Sequence, residues 1–129
     1  MTKNKFNKLG LLFSLLIASC DPVHHLHLDN KTGNAITVIY RPQIEIAPVG
    51  SKIETIIINK IEFSKVILDS GQQMKIGTVS ARYTPKVTDV SLDYLETING
   101  KDTIKLVGKS TIFNFIQKID KLDWRLTIK

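Results

Sequence analysis

Two short segments alternate residue by residue between apolar and polar. In Ala35–Arg41, AITVIYR, the side chains of Ile36, Val38 and Tyr40 fall on one side of an extended chain, and Thr37, Ile39 and Arg41 on the other. In Asp123–Lys129, DWRLTIK, Trp124, Leu126 and Ile128 point one way and Asp123, Arg125, Thr127 and Lys129 the other. Successive side chains of a strand take opposite faces, so a period of two describes a strand with one dry and one wet face and does not suit a helix. The stretches between are rich in isoleucine, valine and threonine, whose β-branched side chains fit a pleated surface. Further strands are expected at His25–Leu28, Lys52–Asn59, Ser64–Leu68, Gln73–Val79, Val90–Ile98 and Thr103–Val107. The run Ile56-Ile57-Ile58 does not alternate and is expected to be buried on both faces.

Turn signals separate these segments: DNKTGN at 29–34, APVG at 47–50, DSGQ at 69–72 and INGKD at 98–102. Asn99-Gly100 suits a tight hairpin, because both residue types tolerate positive φ. Pro85, within SARYTPKVTD, marks another loop. One stretch departs from the strand period. In KSTIFNFIQKIDKLDW the apolar residues Ile112, Phe115, Ile116 and Ile119 recur at spacings of three and four, which predicts a short helix near 110–119 capped by Ser110 or Thr111, with Phe113 off its face. A strand at Thr111–Ile116 is the competing reading. Many short strands joined by Gly, Pro and Asn turns predict a mainly β chain, a single antiparallel β-sandwich. It is immunoglobulin-like at most in architecture, since the Cys…Trp…Cys pattern of antibody domains is absent.

The amino terminus is of another kind. Lys3, Lys5 and Lys8 precede a run from Leu9 to Ala18 interrupted only by Gly10 and Ser14, and Asp21 and Pro22 follow closely. A membrane-spanning helix needs about 20 apolar residues, and this run is half that. A basic stretch followed by a short apolar one describes a secretory signal peptide. Its end, Ile17-Ala18-Ser19-Cys20, resembles the lipobox of bacterial lipoproteins: an aliphatic residue, two small residues and a cysteine. The resemblance implies a diacylglyceryl group on the Cys20 thiol and cleavage before it by a signal peptidase that recognises Ile17, Ala18 and Ser19. It also implies membrane attachment, at the outer membrane or the periplasmic face of the inner membrane. The expected organisation is a removed signal peptide at 1–19, a lipidated tether at 20–24 and a β-sandwich at 25–129. Through its lipobox, its all-β body and its closing DWRLTIK the chain loosely resembles small lipoproteins of the Bacteroidetes; the resemblance is unspecific after residue 20 and implies no activity.

Cys20 is the only cysteine. Once acylated it leaves none for disulfides, redox chemistry or metal thiolates, so the exported body must hold by its core alone. The net charge of +6 is inflated by the signal segment, since half of it resides on Lys3, Lys5 and Lys8. The remaining lysines are scattered and Arg41, Arg82 and Arg125 are isolated. A nucleic-acid surface needs a basic stripe with stacking aromatics, and no nucleic-acid partner is expected.

The three histidines lie together in HHLH. His25 and His27 would share a strand face, where two imidazoles at that spacing suit zinc or copper, with His24 or Asp29 as a third ligand. The plainer reading is a solvated first strand. No G-x-S-x-G elbow is present. Serine and lysine stand side by side at Ser64-Lys65 and Lys109-Ser110, but such pairs are common in a lysine-rich chain. Asp93 and Glu96 fall on opposite faces of a strand, and Asp120 and Asp123 flank a turn. Tyr40, Tyr83, Tyr94 and Trp124 are the candidates for stacking on a sugar ring; Tyr40 and Trp124 read better as core, which leaves Tyr83 as the least committed. No catalytic group and no cofactor are expected. The chain reads as a lipid-anchored envelope domain with a non-enzymatic binding or assembly role, its partner an envelope protein or a glycan. The alternatives are a small metal-binding protein or enzyme using the histidines, and a carbohydrate-binding module.

Overall fold

A computed structural model describes residues 23–42, 47–80 and 83–129. The signal segment, with Ile17, Ala18, Ser19 and the lipidation site Cys20, lies outside the described residues. Among the described residues nine strands follow one another: β1 (Val23–Asn30), β2 (Ile36–Arg41), β3 (Glu54–Ile58), β4 (Ile61–Leu68), β5 (Gln73–Ser80), β6 (Tyr94–Asn99), β7 (Asp102–Val107), β8 (Gln117–Asp120) and β9 (Asp123–Ile128). A 3-10 turn at Val87–Asp89 precedes β6, and a short helix, α1 (Lys109–Asn114), precedes β8. The strands form a four-stranded sheet in the order β5-β1-β9-β8 and a five-stranded sheet in the order β3-β4-β2-β6-β7. The two sheets pack face to face as a β-sandwich. All neighbours are antiparallel except β1 and β9, which run parallel with Leu26 opposite Trp124 and Asn30 opposite Ile128.

The alternation in the sequence sets the faces. Leu26 and Leu28 of β1, Ile36, Val38 and Tyr40 of β2, and Leu126 and Ile128 of β9 are all buried between the sheets. Val66, Leu68, Met74, Ile76, Leu92 and Leu95 also belong to that core. A second, smaller cluster lies on the outer face of the five-stranded sheet. There Ile39, Phe63 and Tyr94 bury one another, with the Phe63 and Tyr94 rings edge to face at 4.8 Å. β5 carries a bulge, since Leu26 pairs with Gly77 and His27 with Lys75. A side chain at Gly77 would collide with the backbone oxygen of Asp89, so glycine is required by this close approach.

The connections β1–β2 and β4–β5 both pass from one sheet to the other, and Asn30 joins them. Its side chain is fully buried. Its amide nitrogen donates to the carbonyl oxygens of Asn34 at 2.7 Å and Leu68 at 2.9 Å. Its amide oxygen accepts from the Thr32 backbone N–H at 3.0 Å and the Thr32 hydroxyl at 2.8 Å. The Asn30 backbone N–H donates to Gln72 O, and its carbonyl accepts from Gly71 N–H.

Three expectations need correction. Ile56-Ile57-Ile58 is not buried on both faces. β3 is an edge strand, Ile57 is 68% exposed and Ile58 43%, and only Ile56 packs, against the outer cluster. The chain then reverses at Asn59-Lys60, both at positive φ, into β4, a two-residue hairpin that the isoleucine run obscured. The helix near 110–119 is shorter than expected. It ends at Asn114, and Gln117–Asp120 forms β8 against β9, so Phe115 and Ile119 are exposed while Ile112 and Ile116 reach the core. Pairing with β9 across the Lys121-Leu122 turn outweighs the helical spacing. Gly108, at positive φ, begins the helix, and neither Ser110 nor Thr111 caps it.

Asn30→Asp keeps the acceptor but replaces the donor that faces Leu68 O and Asn34 O. An unsatisfied buried polar group costs about 1–3 kcal/mol, so this variant should lose roughly 2 kcal/mol or more in a urea melt. Ile57→Ser, at the exposed edge, should stay within about 0.5 kcal/mol of the parent.

Candidate functional site

The parallel pairing brings three segments to one end of the four-stranded sheet. β1 starts there at Val23, which pairs with Ser80, the last residue of β5. Leu26 lies opposite Trp124, so the β8–β9 turn at Lys121-Leu122 falls at the same end. Between them is a shallow recess of about 170 Å³ lined by His24, Tyr83, Thr84, Pro85, Lys118, Lys121, Leu122 and Trp124. Tyr83, which is 64% exposed, also borders a neighbouring hollow with Lys86 and Asp89.

Trp124 is half-buried. It packs against the core on one side and lines the recess on the other. The expectation that it shares the full burial of Leu126 and Ile128 is therefore met only in part, because Trp124 lies near the open end of β9. Lys118, its pairing partner on β8, holds its ammonium 5.9 Å from the indole centroid, within cation–π range. His24 shares the inward side of β1 with Leu26. Both of its ring nitrogens are buried and find no hydrogen-bond partner among the described residues.

His25 and His27 lie on the opposite face of β1, as strand alternation requires, with ring centroids 6.1 Å apart. The three histidines thus divide between two faces. Among the described residues no group of three or more His, Cys, Asp or Glu side chains is placed to hold a metal ion. The outer face instead carries an ionic cluster. Asp29 is 2% exposed and accepts a hydrogen bond at 3.1 Å from Arg125 Nη1, with Lys31 Nζ 3.8 Å away. Arg125 also grips Asp123 through two bonds of 2.8 and 2.7 Å. Sequence alternation assigns Arg125 to a solvated face and gives no sign of this role, because Asp29 lies far away in the chain.

The other candidates are distributed elsewhere. Ser64 is buried and shares a hydrogen bond with Tyr40, while Lys65 points to the opposite face, so the two do not form a dyad. Asp93 accepts from Arg41 Nε at 2.8 Å. Asp120 and Asp123 pair across the β8–β9 turn. Tyr40 belongs to the main core. Tyr94 belongs to the outer cluster, where it donates from its hydroxyl to Glu96 at 2.6 Å, and burial first, then Glu96, push its pKa up to about 12. Of the four sugar-stacking candidates, Tyr83 and Trp124 meet in one recess, with His24 beside them. Lys118, Lys121 and Leu122 complete it, a convergence that no local sequence pattern announces. The recess offers aromatic surface and ammonium groups, an arrangement suited to contact.

The pKa values of both His25 and His27 are lowered. Burial is the main cause in each case, helped at His25 by Lys75 and His24. At His27 the other contributions are His25 and Arg125, which lower the value, and Asp123 and Asp29, which oppose them. A lowered folded-state value means that the native state binds fewer protons than the unfolded chain near pH 6.5. Stability contributed by these neutral rings is present above that pH and is lost as pH falls through the folded values. Urea midpoints should therefore drop below about pH 6.5, and the drop should shrink in His25→Gln/His27→Gln. Arg125→Ala should cost about 1–3 kcal/mol by leaving the Asp29 carboxylate without its guanidinium, measured by the same melts at pH 7.

No protein-family model, curated protein sequence or solved structure matches this chain.

Proposed function

We propose that the protein is a lipid-anchored domain of a bacterial cell envelope, held by acyl chains on Cys20 and acting in binding or assembly without catalysis. The observation that carries this reading is the Ile17-Ala18-Ser19-Cys20 motif behind a basic and apolar leader. Its position relative to the fold supports it, because only Asp21 and Pro22 separate Cys20 from the first residue of β1. One acyl chain binds a bilayer only marginally, whereas two or three on one cysteine hold it stably. The destination is the outer membrane or the periplasmic face of the inner membrane. In enteric bacteria an aspartate after the cysteine resembles an inner-membrane retention signal, and other groups sort by different rules.

A sugar-binding role has one specific observation in its favour, the shared recess of Tyr83 and Trp124. Its shallowness and its place beside the start of β1 weigh against a polymer site. A glycan array that gives selective binding lost in Tyr83→Ala would favour it over the envelope-partner reading, which crosslinking in intact cells addresses.

Cys20→Ala should abolish incorporation of labelled palmitate and leave the leader uncleaved at the normal site. Radiolabelling and the mobility of the immunoprecipitated chain report both. Continued labelling of the variant would falsify the anchoring reading, and fractionation of the parent's membranes would identify its destination.

A further inference from the structure

The turns at the two ends of the sandwich differ in chemistry, although Ile53, where the chain enters β3 on the Asn30 side, is 41% exposed. At the end held together by Asn30 lie the turns at 31–34, 69–72 and 99–102, formed of Lys, Thr, Gly, Asn, Asp, Ser and Gln, and none of them carries an exposed large apolar side chain. At the opposite end of the four-stranded sheet, Val23 is 57% exposed, Tyr83 64% and Leu122 46%. Lys86, Lys118 and Lys121 stand around them at the recess and the neighbouring hollow. The acids there are partly engaged: Asp89 accepts from the Lys86 backbone N–H, and Asp120 from the Lys121 backbone N–H. In the other sheet β4 runs from Ile61 to Leu68, and Leu68 meets Asn30. The β3–β4 turn, with exposed Ile58 and Ile61 beside Lys60, therefore also points away from the polar end.

We infer that the Val23–Tyr83–Leu122 end of the sandwich lies against an anionic lipid surface, with Tyr83 and Leu122 at headgroup depth and Lys86 and Lys121 facing lipid phosphates. This rests on the reading of Cys20 as the anchor. Three residue steps separate Cys20 from Val23, and at about 3.3–3.6 Å per step they span roughly 11 Å at most. Val23 is already fixed in a central strand, so the domain has little freedom to hang away from the bilayer, and the end that carries Val23 is the end nearest it. An aromatic ring with a polar tip and a rim of lysines are the side chains that an interface between hydrocarbon and headgroups accommodates. The far end, with its polar turns, is left facing the aqueous compartment and whatever partner approaches from it.

Trp124 is the only tryptophan and borders this face, so it reports on the contact without a label. The full protein, purified from the membranes of the producing cell, is reconstituted into vesicles of phosphatidylglycerol with phosphatidylcholine brominated either near the headgroup or at the chain ends. Its mass reports the acyl groups on Cys20. Trp124 emission should be quenched most by the shallow bromines. Tyr83→Ser/Leu122→Ser should remove the quenching, as should Lys86→Glu/Lys121→Glu, with a shift in the docked population of about fivefold for each lysine lost. All four positions are at the surface, and unchanged circular dichroism would confirm that the variants fold. Equal emission in brominated and plain vesicles from a chain whose mass shows acylation would overturn the inference and leave the anchor intact. Quenching that survives both double variants would also overturn it. A chain without acyl groups would overturn the anchor and the inference together.

Discussion

The carboxamide of Asn30 holds two chain crossings at once. Its two N–H groups and its oxygen are all engaged, in a position that water does not reach, by partners in the β1–β2 loop and at the end of β4. The loop after β1 and the turn before β5 are thereby fixed with respect to each other. β1 and β5 can then lie side by side in one sheet while β2 and β4 lie side by side in the other. Low local dielectric strengthens such bonds and makes any missing one expensive. A chain with no disulfide among its described strands thus uses a short polar side chain to set the relation of its two layers, and the hydrophobic core fills the space so defined.

The two faces outside that core are not equivalent. The five-stranded sheet covers part of its outer surface with the Ile39, Phe63 and Tyr94 cluster, where Arg41 lies 5.7 Å from the Phe63 ring and Lys105 5.8 Å from the Tyr94 ring. The four-stranded sheet covers its outer surface with charge, in the Asp29, Arg125 and Asp123 network beside His25 and His27. A buried carboxylate needs its guanidinium more than an exposed one does, because a charge left alone in a dry place costs far more than a surface pair contributes. That network links the first strand to the last and reinforces their backbone pairing.

Where a segment's period reflects burial on one face, the sequence is legible. Ala35–Arg41 and Asp123–Lys129 take the faces their alternation predicts, and the mainly β sandwich follows from such segments and their turns. Legibility fails where long-range pairing decides. Ile56-Ile57-Ile58 reads as a central strand by composition, yet nothing local says that it will stand at an edge. Ile112, Phe115, Ile116 and Ile119 satisfy a helical spacing, but β9 is available as a partner and takes Gln117–Asp120. The turn chemistry of DNKTGN is plain, but the use of Asn30 as a clasp depends on Leu68, which no periodicity connects to it. The recess is harder still. His24, Tyr83 and the hairpin of Lys118 and Trp124 come from three separate parts of the chain, and the pairing of β1 with both β5 and β9 assembles them. Even so, the parity of HHLH already separates His24 from His25 and His27.

The parallel pairing of β1 with β9 has a mechanical consequence. Val23 begins one strand at one end of the sheet, and Ile128 finishes its neighbour at the other. A pull applied at those two points drags adjacent strands past each other along their length. The backbone bonds from Leu26 to Asn30 then resist together, in shear, whereas an antiparallel terminal hairpin pulled from its open end would unzip one bond at a time. A body tethered through its first strand and gripped near its last would bear tension as a clamp does, and the sheet's centre is where that load would be carried.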